Sequence, residues 1–327
     1  MRHRTVTSTA IMIALIIQTG CAPLPDLSGY TAATSTVRQS VASAGTAVSS
    51  EADRAGEVMI GPANIEALRK AKAEFDTSWA KNRRAMDAMV RYASSIEAIA
   101  AAGNQGAKSA GAVADQLQGL IGALGLPIAP AVGVVLNTGE KLFAQLALVR
   151  AAKSLKASLA AADPAVRELQ GILSDNIAEA ERAHNQLVKT ELDTIGFAAP
   201  GGFGEIIATD QSLGAMAADQ AAALDKALAD GNRARATTLG TELQTIADAR
   251  AAIAPQLADY RAKRAAIEAR QRAARALFGA SRDALTAWTE AHAELVIAIN
   301  TRRPVTLASL EAAVADIREL IKQWRAL

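Results

Sequence analysis

The chain has 327 residues, half of them hydrophobic, 21% charged and only 3% aromatic. Ala supplies much of the apolar fraction, and no run alternates with the period of two that a half-buried strand requires, so the composition excludes a β-rich fold and favours helix. The formal charge is +2, but Arg2 and Arg4 are the only charged residues among the first twenty; without them the 35 basic side chains fall to 33, the number of acidic ones. A chain with no basic surplus lacks the means to displace condensed counterions, which excludes a nucleic-acid partner.

Residues 1–20 read as an export signal. Arg2, His3 and Arg4 precede the apolar run Ala10-Ile11-Met12-Ile13-Ala14-Leu15-Ile16-Ile17, which is too short to span a bilayer, and small residues follow. The segment Gln18-Thr19-Gly20-Cys21 resembles the lipobox of bacterial lipoproteins, although Gln18 stands where that pattern usually has an aliphatic residue. The resemblance implies that Cys21 is lipidated, palmitate included, and becomes the new amino terminus. Ala22 at the next position implies, by the same analogy, the outer membrane of a Gram-negative bacterium, with the chain facing the periplasm. Cys21 is the only cysteine, so it has no internal disulfide partner, and lipidation would consume its thiol. The paired prolines Pro23 and Pro25 then mark a short stiff tether, taken as residues 21–33.

The remaining residues, 34–327, read as one elongated antiparallel bundle of long helices. Val37, Val41, Ala44, Val48, Ala52 and Ala55 give a first amphipathic helix from about Thr34 to Met59, ended by Gly61-Pro62. A longer one follows to Ala102 with Ile65, Leu68, Phe75, Trp79, Met86, Met89, Ala93 and Ile96 on its seam. After Gly103-Asn104-Gln105-Gly106 comes the uncharged run 116–139, divided by Pro127 and Pro130, which reads as the turn of an apolar helical hairpin. Asp163-Pro164 has the form of a helix start, with Asp as the cap and Pro in the first turn. Ala198 to Gly204 form a loop. Helices are then expected from about Leu213 to Ala229, where Gly231-Asn232 ends or kinks the chain, with the pattern continued by Leu239, Leu243 and Ile246, and on to Asn300 from Pro255, which marks either a kink or a restart. The last one carries Leu307, Leu310, Val314, Ile317, Ile321 and Trp324 in alternating steps of three and four, a coiled-coil-like seam.

No catalytic constellation, cofactor motif, metal-ligand set or small-molecule site emerges. His184 and His292 are separated and read as ordinary helical histidines. Gly201-Gly202-Phe203-Gly204 lacks the preceding strand and following Lys-Ser/Thr of a phosphate loop, so it reads as a turn. Two groups invite a contact role. Leu120, Ile121, Leu124, Leu126, Ile128, Val132 and Val135 could touch a membrane or a partner. Arg261, Lys263, Arg264, Arg270, Arg272 and Arg275 could touch anionic lipid, although a solvated face paired with acidic neighbours accounts for them better. The expectation is a non-enzymatic envelope scaffold or accessory subunit, held to the membrane by its lipid and engaging a protein partner or a second copy of itself. The alternative rests on a likeness of architecture alone: long helices around an apolar hairpin resemble elongated α-helical pore-forming toxins. That likeness implies insertion of 116–139 into a bilayer.

Overall fold

The computed structural model describes residues 26–102, 106–126, 137–197, 202–301 and 303–327. Among these, eight helices pack on one another and no strand occurs: α1 (Ser28–Val58), α2 (Pro62–Ala101), α3 (Ala107–Ala123), α4 (Asn137–Ala151), α5 (Leu155–Gly196), α6 (Gly204–Ala229), α7 (Arg233–Thr301) and α8 (Ala308–Arg325). Neighbours in sequence run antiparallel except α5 and α6, which touch only slightly and follow one another along α7.

The spine is α7. Its 69 residues amount to roughly 100 Å at helical rise. Its carboxy-terminal half is covered by α5, α1 and α8, and its amino-terminal part by α6. Leu277, Phe278, Leu285, Trp288 and Leu295 anchor the first contact set in the main core. On the α6 side only Leu239, Ile246, Leu257 and Ala227 are buried, so α6 and the start of α7 form a two-helix arm beyond the bundle. The turn at the arm's tip uses Gly231 at φ +70°, a left-handed conformation that costs glycine little.

Several elements differ from the sequence reading. α1 starts at Ser28 rather than near Thr34, because Leu27 and Tyr30 are buried and Tyr30 stacks on Trp288 at 6.0 Å; residues 28–33 therefore belong to the bundle and not to the tether. α6 starts at Gly204, nine residues before the expected point. The Asp163-Pro164 start is overturned. α5 begins at Leu155, where the Ser154 hydroxyl accepts a hydrogen bond from the Ala157 N–H at 3.2 Å, and it runs through Pro164. Burial of Leu155, Leu159 and Ala162 outweighs the one backbone hydrogen bond that proline removes. Of the two readings of Pro255, a kink or a restart, the restart does not occur: the residue lies inside α7, on an exposed turn of the arm.

The last helix follows its sequence seam: Leu310, Val314, Ile317 and Ile321 are buried against α7 and α1. At the opposite side of the core, α1 and α2 approach closely because position 45 has no side chain. A Cβ there would lie 1.9 Å from Nε1 of Trp79. Gly45→Ala is therefore expected to lower stability by about 1–3 kcal/mol through overpacking, read as a lower urea midpoint with unchanged helicity before the transition. Gly214→Ala, where a Cβ meets nothing within 4 Å, is expected to leave the midpoint unchanged or raise it slightly.

Candidate functional site

Two buried polar clusters join helices that are distant in sequence. The first lies where α2, α5 and α7 converge near the α1 amino terminus. Nε2 of His292 is 2.8 Å from the Tyr92 hydroxyl, and Nδ1 is 3.2 Å from Oδ1 of Asp163. Asp163 also accepts from Nε of Arg167 at 2.9 Å. These contacts, His292 foremost, hold the Asp163 carboxyl below its ordinary range. An ionised Asp163 fixes the tautomer: Nδ1–H donates to the carboxylate, and Nε2 accepts from the tyrosine O–H. Burial, with Asp163 adding to it, pushes Tyr92 well up, so the phenol keeps its proton. Next to this line, Nε1 of Trp288 donates to Thr34 Oγ1 at 3.0 Å.

An Asp-His-Tyr line could move a proton, but Tyr92 and His292 are fully buried, so neither presents an atom to solvent. As placed, the line ties three helices together. The sequence reading treats Asp163 as a cap and His292 as an ordinary helical histidine, and nothing local reveals that residues 129 positions apart meet.

The second cluster lies higher in the bundle. Arg270 of α7 reaches between two carboxylates, with Nη2 at 2.7 and 3.0 Å from the two oxygens of Glu191 and Nε at 3.4 Å from Oε2 of Glu51. The same Glu51 oxygen lies 3.7 Å from Arg54 and 4.0 Å from Nε2 of His184. Glu51 and His184 are fully buried. Burial raises Glu191 to about 7, with Glu51 adding to the effect and Arg270 opposing it. His184 is lowered to about 4, chiefly by burial, against the pull of Glu51. Oε1 of Glu51 and both ring nitrogens of His184 have no hydrogen-bond partner among the described residues.

The sequence-derived basic group is thus divided. Arg270 is an interior cross-link, not a surface contact. Lys263 pairs with Asp259 and sits 4.9 Å from the Phe203 ring centroid, Arg264 pairs with Glu268 and Arg275 with Asn185, while Arg261 and Arg272 are exposed. The apolar group is divided too. Leu120, Ile121 and Leu124 are buried in the main core, and Leu126 packs against it half-buried. Ile128, Val132, Val135 and Cys21 lie outside the described residues. α3 and α4 pack on each other, but the full apolar hairpin is not part of the described structure.

Among the described residues no helix is long and apolar enough to cross a membrane, and no group of three or more His, Cys, Asp or Glu is placed to hold a metal ion. No protein family, no curated protein and no solved structure matches the chain.

The second cluster makes stability depend on pH in two opposed ways. Glu191, with its folded value raised, contributes stability that is present below its ordinary 4.5 and is lost as pH rises through about 7. His184, with its folded value lowered, contributes stability that is present above its ordinary 6.5 and is lost as pH falls towards about 4. Between 4.5 and 6.5 the two slopes oppose each other. Glu191→Gln removes the falling slope, so the urea midpoint of this variant relative to the parent is expected to increase steadily from pH 4.5 to 7.5. A constant offset between the two across that range would show that Glu191 does not titrate there.

Proposed function

We propose that the chain is a non-enzymatic, lipid-anchored helical scaffold or accessory subunit of the bacterial outer membrane, facing the periplasm and working through its long surfaces. The observation that carries this reading is the length of α7 together with the arm it forms with α6. Tyr30 of α1 stacks on Trp288 near the far end of α7, which puts the start of α1 and the arm's tip at opposite ends of the spine. An acyl group on Cys21, five residues before the first described residue, would hold the bundle by its base. The arm would then reach far into the space beyond the membrane surface.

Such a layout suits a spacer that presents a contact site at a distance. The interior supports the same reading: its buried polar groups engage one another across helices, which stiffens the spine. A role for 116–139 in membrane insertion would require Leu117, Leu120, Ile121 and Leu124 to leave the main core, an opening that exposes several fully buried side chains at once.

Expression of the full chain in a Gram-negative host with radiolabelled palmitate provides the test. The parent is expected to take up label and fractionate with the outer membrane, while Cys21→Ser is expected to lose the label and shift to the soluble periplasmic fraction. An unlabelled parent chain, or a Cys21→Ser variant that stays on the membrane, would sink the anchored reading.

A further inference from the structure

We propose that Tyr92 is a site of one-electron oxidation whose proton passes to His292, so that the buried Asp163-His292-Tyr92 line traps an oxidising equivalent as a tyrosyl radical. Such a role goes beyond the scaffold reading and does not depend on it.

Burial closes the line to a substrate in water, but not to an electron, which crosses a short stretch of packed protein without any atom reaching the surface. What limits oxidation of a tyrosine is its proton. A phenol that has lost an electron is a strong acid and needs a base within hydrogen-bond reach. Tyr92 has one, since its hydroxyl lies 2.8 Å from Nε2 of His292. Because Nδ1–H donates to Asp163 at 3.2 Å, Nε2 keeps the lone pair that receives the proton.

The step balances within the line and one external partner. An electron leaves the phenol for a strong one-electron acceptor of the oxygen-radical class at the bundle surface. The O–H bond of Tyr92 breaks, its proton forms an N–H bond at Nε2, and a neutral tyrosyl radical remains beside an imidazolium. The carboxylate of Asp163, itself held by Arg167 at 2.9 Å, offsets the new positive charge on the ring. Return of an electron from a one-electron reductant such as ascorbate takes the proton back to the phenol and resets the line.

The neighbouring rings lack such a base. Tyr30 and Trp288 stack at 6.0 Å, Trp288 lies 6.5 Å from Tyr92, and all three rings are buried. The Tyr30 hydroxyl has no hydrogen-bond partner among the described residues. Nε1 of Trp288 donates to Thr34, whose hydroxyl donates in turn to the Tyr30 carbonyl at 2.7 Å, and a hydroxyl is too weak a base to take the proton. Tyr260, outside this cluster, faces the Arg264 guanidinium at 3.4 Å, a cation that accepts no proton. Burial pushes Tyr30 and Tyr92 upward alike, so both start as neutral phenols, and of the two only Tyr92 can release its proton on oxidation. An electron vacancy formed on Trp288 or Tyr30 therefore settles on Tyr92, where burial keeps the radical from coupling with a second phenol.

Freeze-quench electron paramagnetic resonance tests this on the full chain with Cys21→Ser, so that no thiol competes, using photogenerated tris(bipyridine)ruthenium(III) as the oxidant. The chain has three tyrosines, and Tyr30→Phe with Tyr260→Phe leaves Tyr92 alone; this chain is expected to keep a neutral tyrosyl signal. Tyr92→Phe is expected to lose it. By transient absorption, His292→Gln, which still hydrogen-bonds but offers no base, is expected to slow formation of the radical about tenfold or more. With Tyr92 as the only tyrosine, the rate is expected to be independent of buffer concentration, because the proton never leaves the line. No tyrosyl signal from that chain, an equal signal from Tyr92→Phe, an unchanged rate in His292→Gln, or a rate that climbs with buffer base would overturn the proposal. The signal and the buffer dependence of the chain with Tyr92 alone are read with the line itself unaltered, so they decide even where Tyr92→Phe or His292→Gln loses helicity by circular dichroism.

Discussion

A helix of 69 residues cannot bury its own apolar side chains, and the rest of this structure is arranged by that constraint. Where α7 carries Phe278, Leu285, Trp288 and Leu295, three other helices surround it and the core is continuous. Where only Leu239, Ile246 and Leu257 are buried, a single helix covers it and the arm results.

Apolar seams of Ala and Leu tolerate sliding, since one turn of helix replaces a small side chain with another much like it. The buried polar contacts do not. A shift of α7 by one turn, about 5.4 Å, would pull His292 from Asp163 and Tyr92 at one level and Arg270 from Glu51 and Glu191 at another. Each displaced group would stay in the interior without its partner, at a cost of several kcal/mol for the charged ones. Two polar clusters along α7 thus set the register that apolar packing leaves loose. Removing one partner of such a cluster is more damaging than its modest net contribution would imply, because the remaining charge has nowhere to go.

Continuity of the spine also fixes where the arm sits relative to the bundle. An arm held by a continuous helix transmits position from one end of the molecule to the other, whereas a jointed one would not. Pro255 leaves α7 continuous, and its exposed position on the arm leaves room for the proline ring.

Periodicity in the sequence determined the helical class, the break at Gly61-Pro62, and the seam Leu310, Val314, Ile317 and Ile321, because each depends on residues within a few turns of one another. Asp163-Pro164 misled for the same local reason: it has the pattern of a cap, and only the burial of Leu155 and Leu159 by other helices shows that the helix continues through it. Neither polar cluster was legible. A charge on a helix reads as solvated until it is known what packs above it, and Arg270 meets Glu51 across 219 positions and Glu191 across 79. Tertiary structure alone decided which of six basic residues went inside, since that choice depends on where two distant carboxylates come to rest.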